Sequence, residues 1–161
     1  MGALVDWAVL LALAVGFSVF AGSAALAERR VALVIGNANY DRGGVLWTTI
    51  NDANAIAAVL SNAGFDVVDK RTNLGVVEFK RAVREFVDRS ANADVAVVYY
   101  SGHGLEVSGG NYLIPVDAKL MSSLDVDDEA VSLDRLLDAT QRVKKLSLII
   151  LDACRENPFT Q

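Results

Sequence analysis

The chain has 161 residues, with 15 Lys and Arg against 20 Asp and Glu and a net charge of −5. That balance supplies no basic stripe for a phosphate backbone, and a single cysteine excludes an intramolecular disulfide and a multi-cysteine zinc site. With 53% apolar residues and only two prolines, the composition is globular rather than disordered, with room for one domain of roughly 130 residues behind a targeting segment.

The run from Trp7 to Ala27 carries no charge and closes on Ala25-Leu26-Ala27 just before Glu28. It reads as a signal peptide over residues 1–27, cleaved after Ala27, so the chain is expected to be exported, periplasmic or secreted. Asp6 stands where such segments carry basic residues, and the run is long enough to span a bilayer, so an uncleaved membrane anchor is the alternative.

Next comes VALVIGN (Val31 to Asn37), an apolar, β-branched run that reads as a buried strand. Asn51 or Asp52 is expected to open a helix carrying Ile56, Val59, Leu60 and Ala63, with Gly64 as its stop. Phe65 to Arg71 reads as a second strand. Val76, Phe79, Val83, Phe86 and Val87 then mark an amphipathic helix. Asp94 to Tyr100 is a third buried strand, running into Ser101-Gly102-His103-Gly104. Extended pieces around Gly109-Gly110 read as a hairpin. The acidic stretch Asp125 to Glu129 reads as a loop, Ser132 as the N-cap of a helix carrying Leu133, Leu136 and Leu137, and Leu146 to Cys154 as a fourth buried strand.

This order implies an α/β fold, a three-layer sandwich with a mainly parallel sheet covered by helices on both faces. Sites in such sheets gather beyond the carboxyl ends of strands. His103 and Cys154, the only His and the only Cys, would both lie on that edge. A thiol is a useful nucleophile only as the thiolate, which a nearby imidazole can generate. Glycines on both sides of His103 are expected to allow tight turns and the close approach of a substrate backbone. Taken alone, each residue has a structural alternative, the buried apolar cysteine and the core histidine.

Caspases carry their histidine about 50 residues ahead of a QAC[RQG]G cysteine motif, and YYSGHG and LDACRE reproduce that spacing. The chain resembles the caspase, metacaspase and paracaspase clan of cysteine peptidases from VALVIGN through INDA, AVVYYSGHG and NYLIPVDA to LDACRENPF, in order. The resemblance implies a caspase-like fold and a Cys154–His103 dyad, with the oxyanion held by the backbone amides of Gly104 and Cys154. Asp152 stands where animal caspases have Gln. Metacaspases and paracaspases are similar to this chain at that position, which implies an acidic pocket selecting Arg or Lys, with Asp52 as a second acid and Ser101 as a pocket hydroxyl. The alternative for Asp52 is a helix N-terminal residue favoured by the dipole, and for Asp152 a strand-end carboxylate with a structural partner. Tyr99 and Tyr100 read as strand core, Asp117 as a turn residue.

Calcium-dependent metacaspases use an acidic stretch similar to Asp127-Asp128, which makes these two calcium candidates; no cofactor is otherwise required, and a solvated loop is the alternative. The resemblance covers the large-subunit part of the family's domain, whose further strands follow the cysteine. The fold is therefore expected to be truncated after its fourth core strand, with an open sheet edge prone to self-association. Trp47 and the two threonines in VLWTTINDA also depart from the family pattern. Two functions follow: an endopeptidase acting on proteins or peptides with basic residues, or a catalytically idle interaction module. A nucleotide-binding domain is excluded by the lack of a GxGxxG or GK[ST] loop.

Overall fold

A computed structural model describes residues 28–154; residues 1–27, where a signal segment is expected, and residues 155–161 lie outside the described residues. The elements in order are β1 (Arg30–Gly36), α1 (Thr49–Asn62), β2 (Val67–Thr72), α2 (Val76–Ser90), β3 (Val95–Val107), β4 (Gly110–Leu113), a 3-10 turn (Ser123–Asp125), α3 (Val126–Glu129), β5 (Val131–Ser132), α4 (Leu133–Thr140) and β6 (Leu146–Cys154).

Strands β2, β1, β3 and β6 run parallel in that spatial order, and β4 and β5 continue antiparallel from the far end of β3. The sheet alternates its side chains, and each set finds a cover. Val34 and Tyr99 meet Ala53 and Ala57 of α1, while Leu33, Ile35, Val98 and Tyr100 meet Phe79, Val83 and Phe86 of α2 and Leu136 of α4. Neighbours along a strand point to opposite faces, so the helices lie on both sides and three layers result. Fully burying aliphatic side chains of this size contributes on the order of 2 kcal/mol each.

Several boundaries differ from the sequence reading. α1 begins at Thr49 rather than Asn51 or Asp52, behind Thr48 at the N-cap. It still ends where Gly64, at φ +80°, was expected to stop it. The hairpin turn is Ser108-Gly109, both at positive φ, the pairing a two-residue primed turn needs. The acidic stretch is not a loop: it forms the 3-10 turn and α3. Ser132 caps α4 as expected, accepting from the Arg135 N–H at 3.4 Å. Asp117 is more than a turn residue, since its Oδ1 accepts from Val76 N–H at 2.8 Å and satisfies the first turn of α2 from a distant segment.

The largest difference concerns β3. The strand does not end at Tyr100 but runs on to Val107, exchanging its parallel neighbours for β4 after His103. SGHG is therefore strand, not loop.

Candidate active site

The register of β3 and β6 pairs Ser101 with Asp152, Gly102 with Ala153 and His103 with Cys154. Adjacent strands lie about 4.8 Å apart, so the two dyad positions face each other across a single strand spacing. Gly104, the next residue, opens the antiparallel ladder opposite Leu113.

His103 is held on every side. Its N–H donates to Tyr40 Oη at 2.8 Å, and its carbonyl accepts from Tyr100 Oη at 2.7 Å and from Ile114 N–H at 3.0 Å. The two tyrosine hydroxyls lie 3.2 Å apart. The Tyr100 proton is directed at carbonyls, His103 at 2.7 Å and Ile114 at 3.1 Å, so Tyr40 donates to Tyr100, and the two hydroxyls link the N–H and the carbonyl of His103 in a ring. Burial, the largest influence on both phenols, pushes them above their ordinary value, Tyr100 well above, so both remain neutral donors. The Tyr40 ring also packs against the imidazole, with centroids 4.4 Å apart.

These tyrosines explain Gly102. A Cβ there would stand 2.5 Å from each tyrosine hydroxyl, so the residue must be glycine for close approach, not for the tight turn expected of it.

The imidazole Nε2 lies 3.2 Å from the carbonyl oxygen of Gly43. A carbonyl only accepts, so this contact requires the proton on Nε2 and leaves Nδ1 as the acceptor in the neutral ring. A base oriented by a third group is the arrangement that nucleophilic catalysis uses. Gly43 and Gly44 have φ of +92° and +79°, a conformation for which glycine is the default. Sequence reasoning passed over this pair; a Gly-Gly doublet with no turn assigned to it was the available signal.

Next to the dyad positions, a cavity of about 170 Å³ is lined by Gly104, Leu105, Leu113, Leu133, Leu151 and Ala153 among others. A second cavity of about 370 Å³ is walled by Val45, Leu46, Trp47, Thr48, Thr49, Ser101, Gly102, Asp152 and Ala153. Asp152 is its sole charged wall residue among the described ones. Asp152 Oδ2 accepts from the Ser101 hydroxyl at 3.4 Å and the Tyr99 hydroxyl at 3.2 Å. Tyr99 reads as strand core, and its ring is core, while its hydroxyl donates to Asp152. Burial first, and then the charges of Asp152 and Asp52, raise the Tyr99 phenol and keep it a donor. Asp52, expected as a second pocket acid, does not form part of the cavity wall; it stands in the first turn of α1.

The calcium candidates do not assemble. Asp127 Oδ1 accepts from the Tyr112 hydroxyl at 3.4 Å, Asp125 Oδ2 from Ser122, and Glu129 Oε2 from the amides of Lys119 and Leu120. Among the described residues no three acidic, His or Cys side chains gather to hold a metal ion. Asp127 and Asp128 in this arrangement do not fit a calcium site.

The caspase domain family matches residues 29–161. The human mucosa-associated lymphoid tissue lymphoma translocation protein 1 is 30% identical over 132 residues, covering 81% of this chain and 16% of the human protein. Its mouse homolog is also 30% identical over 132 residues, which are 15% of that protein. The chain thus spans about a sixth of the length of these curated relatives. A match over nearly the whole described sheet, including the paired ends of β3 and β6, means that the chain belongs to the caspase domain family.

Proposed function

We propose that the chain is a cysteine-type endopeptidase with Cys154 as nucleophile and His103 as its proton acceptor, cleaving proteins or peptides after Arg or Lys. The observation that carries this reading is the strand register setting His103 opposite Cys154. His103 Nδ1 takes the thiol proton, and Sγ attacks the scissile carbonyl carbon. The developing oxyanion is held by the backbone amides of Gly104 and Cys154, donors that typically contribute a few kcal/mol to the transition state. The C–N bond then breaks, the amine leaving with the proton from His103. Water, deprotonated by His103, hydrolyses the thioester and restores the thiol.

Basic specificity is supported by the cavity beside the dyad, whose apolar wall surrounds the Asp152 carboxylate, with Ser101 bonded to that acid. Asp52 supplies a second negative charge nearby. The test is turnover of fluorogenic peptides ending in Arg, Lys or Asp, with Cys154→Ala and Asp152→Asn variants alongside. Absence of Cys154-dependent turnover of every peptide defeats the protease reading; preference for Asp defeats the acidic pocket alone.

A second reading, an interaction module that associates with itself or a partner through an open edge, is favoured by the outer strand. Leu146, Leu148, Ile150 and Leu151 of β6 are 38–51% exposed. Export is a further proposal, supported by the uncharged run before Glu28; N-terminal sequencing of secreted material would identify Glu28 as the first residue if Ala27 is the cleavage point.

A further inference from the structure

Trp47 is 84% exposed, so an indole of large apolar area contributes little to the core. Its backbone is nevertheless fixed. Leu46 N–H donates to the Ala38 carbonyl at 3.0 Å, and the Thr49 hydroxyl donates to the Asn37 carbonyl at 2.9 Å. Residue 47 is carried between these two anchors, just before the N-cap Thr48 of α1, and is among the residues that line the 370 Å³ cavity with Asp152. That volume lies at the lower end of the range for small-molecule sites. An apolar wall with one carboxylate suits a long aliphatic stem with a cationic head.

Lys and Arg both meet that description, and Asp152 discriminates between them weakly. Its Oδ2 is already engaged by two hydroxyls, which disfavours the two-oxygen fork by which a carboxylate prefers guanidinium. A planar, weakly hydrated guanidinium stacks on an aromatic face, whereas an ammonium is a strongly hydrated point charge.

We infer that Trp47 is a specificity-determining residue, its indole stacking on the guanidinium of the residue before the cut, so that the pocket prefers Arg to Lys. This rests on the basic-pocket reading above. An exposed cation–π contact corresponds to about a two- to fivefold effect. In the full chain, Trp47→Leu should lower kcat/KM for an Arg peptide about fivefold and for the matching Lys peptide twofold or less, while Trp47→Phe retains most of the preference. An unchanged Arg to Lys ratio, or equal falls for both, overturns the role of Trp47 and leaves the acidic pocket to stand or fall on Asp152→Asn. If no turnover depends on Cys154, the protease reading fails and binding decides the inference separately. Trp7 and Trp47 are the two tryptophans, so the full chain carrying Trp7→Phe and Cys154→Ala reports Trp47 emission alone. Titration with N-acetyl-arginine methylamide should change that emission at lower concentration than the lysine or citrulline analogue. No arginine-selective change overturns the inference.

Discussion

Tyr40→Phe isolates the hydrogen-bonded ring that holds His103. The substitution keeps the aromatic ring against the imidazole and removes only Oη, which accepts from His103 N–H at 2.8 Å and donates to Tyr100. A buried amide left without a partner costs about 1–3 kcal/mol, and the lost tyrosine–tyrosine bond about 1 kcal/mol, part of which is regained because Phe has no hydroxyl to desolvate. A net loss of about 2 kcal/mol is expected. Tyr100→Phe should cost less, about 1 kcal/mol, because both carbonyls its hydroxyl reaches keep a donor, His103 the Ile114 N–H at 3.0 Å and Ile114 the Asn37 amide at 3.2 Å. The double variant should fall short of the sum, since both changes break the same ring. Urea unfolding of the full chain measures all three; with a slope of about 2 kcal/mol per molar, Tyr40→Phe lowers the midpoint by about 1 M. If Tyr100→Phe proves equally or more costly, or if Tyr40→Phe shifts stability by less than about 0.5 kcal/mol, the ring does not clamp His103 as argued.

Gly43→Ala forces a side chain onto φ +92° and moves the carbonyl that fixes the imidazole, so turnover should fall at least tenfold while unfolding shifts by about 1–2 kcal/mol. Gly36→Ala brings a Cβ to 2.7 Å from the Thr49 carbonyl oxygen and should destabilise by about 1–3 kcal/mol in the same unfolding assay. Asp69 tests acid stability. Burial alone would raise its carboxyl, but Arg71 and Arg89 outweigh it and hold it below its ordinary value. A depressed folded pKa contributes stability above the unfolded value near 4, and that contribution is lost as pH falls through the folded value. Asp69→Asn should therefore be less stable than the parent at pH 6 and lose less stability on acidification; parallel unfolding curves at pH 6 and below 3 decide it. An equal acid dependence in the two chains would remove Asp69 from the account.

The α/β order and the four parallel strands were legible in the chain because they rest on local signals. VALVIGN and DVAVVYY are apolar runs of strands buried on both faces, whereas LSLIILDAC reads the same way but forms the outer strand β6, with Leu146, Leu148, Ile150 and Leu151 exposed. The acidic stretch was misread for the same reason, since charge density marks solvent exposure and not the absence of helix. Ser122 with Asp125 forms a capping box that opens the 3-10 turn, a signal that was present and unused.

What the amino-acid order determined alone is the set of strands that carry His103 and Cys154, because hydrophobic periodicity and a unique His and Cys need no partner to be read. The tertiary structure decided which residues gather around those positions. Tyr40, Tyr100, Gly43 and Trp47 come from segments distant in the chain from β6, and Tyr99 is tied to Asp152 across two strands. Their hydroxyls, carbonyl and ring acquire a role only when the β3–β6 register and the loop before α1 bring them to one edge of the sheet. Such contacts are a property of three-dimensional proximity, and no pattern of near neighbours encodes them.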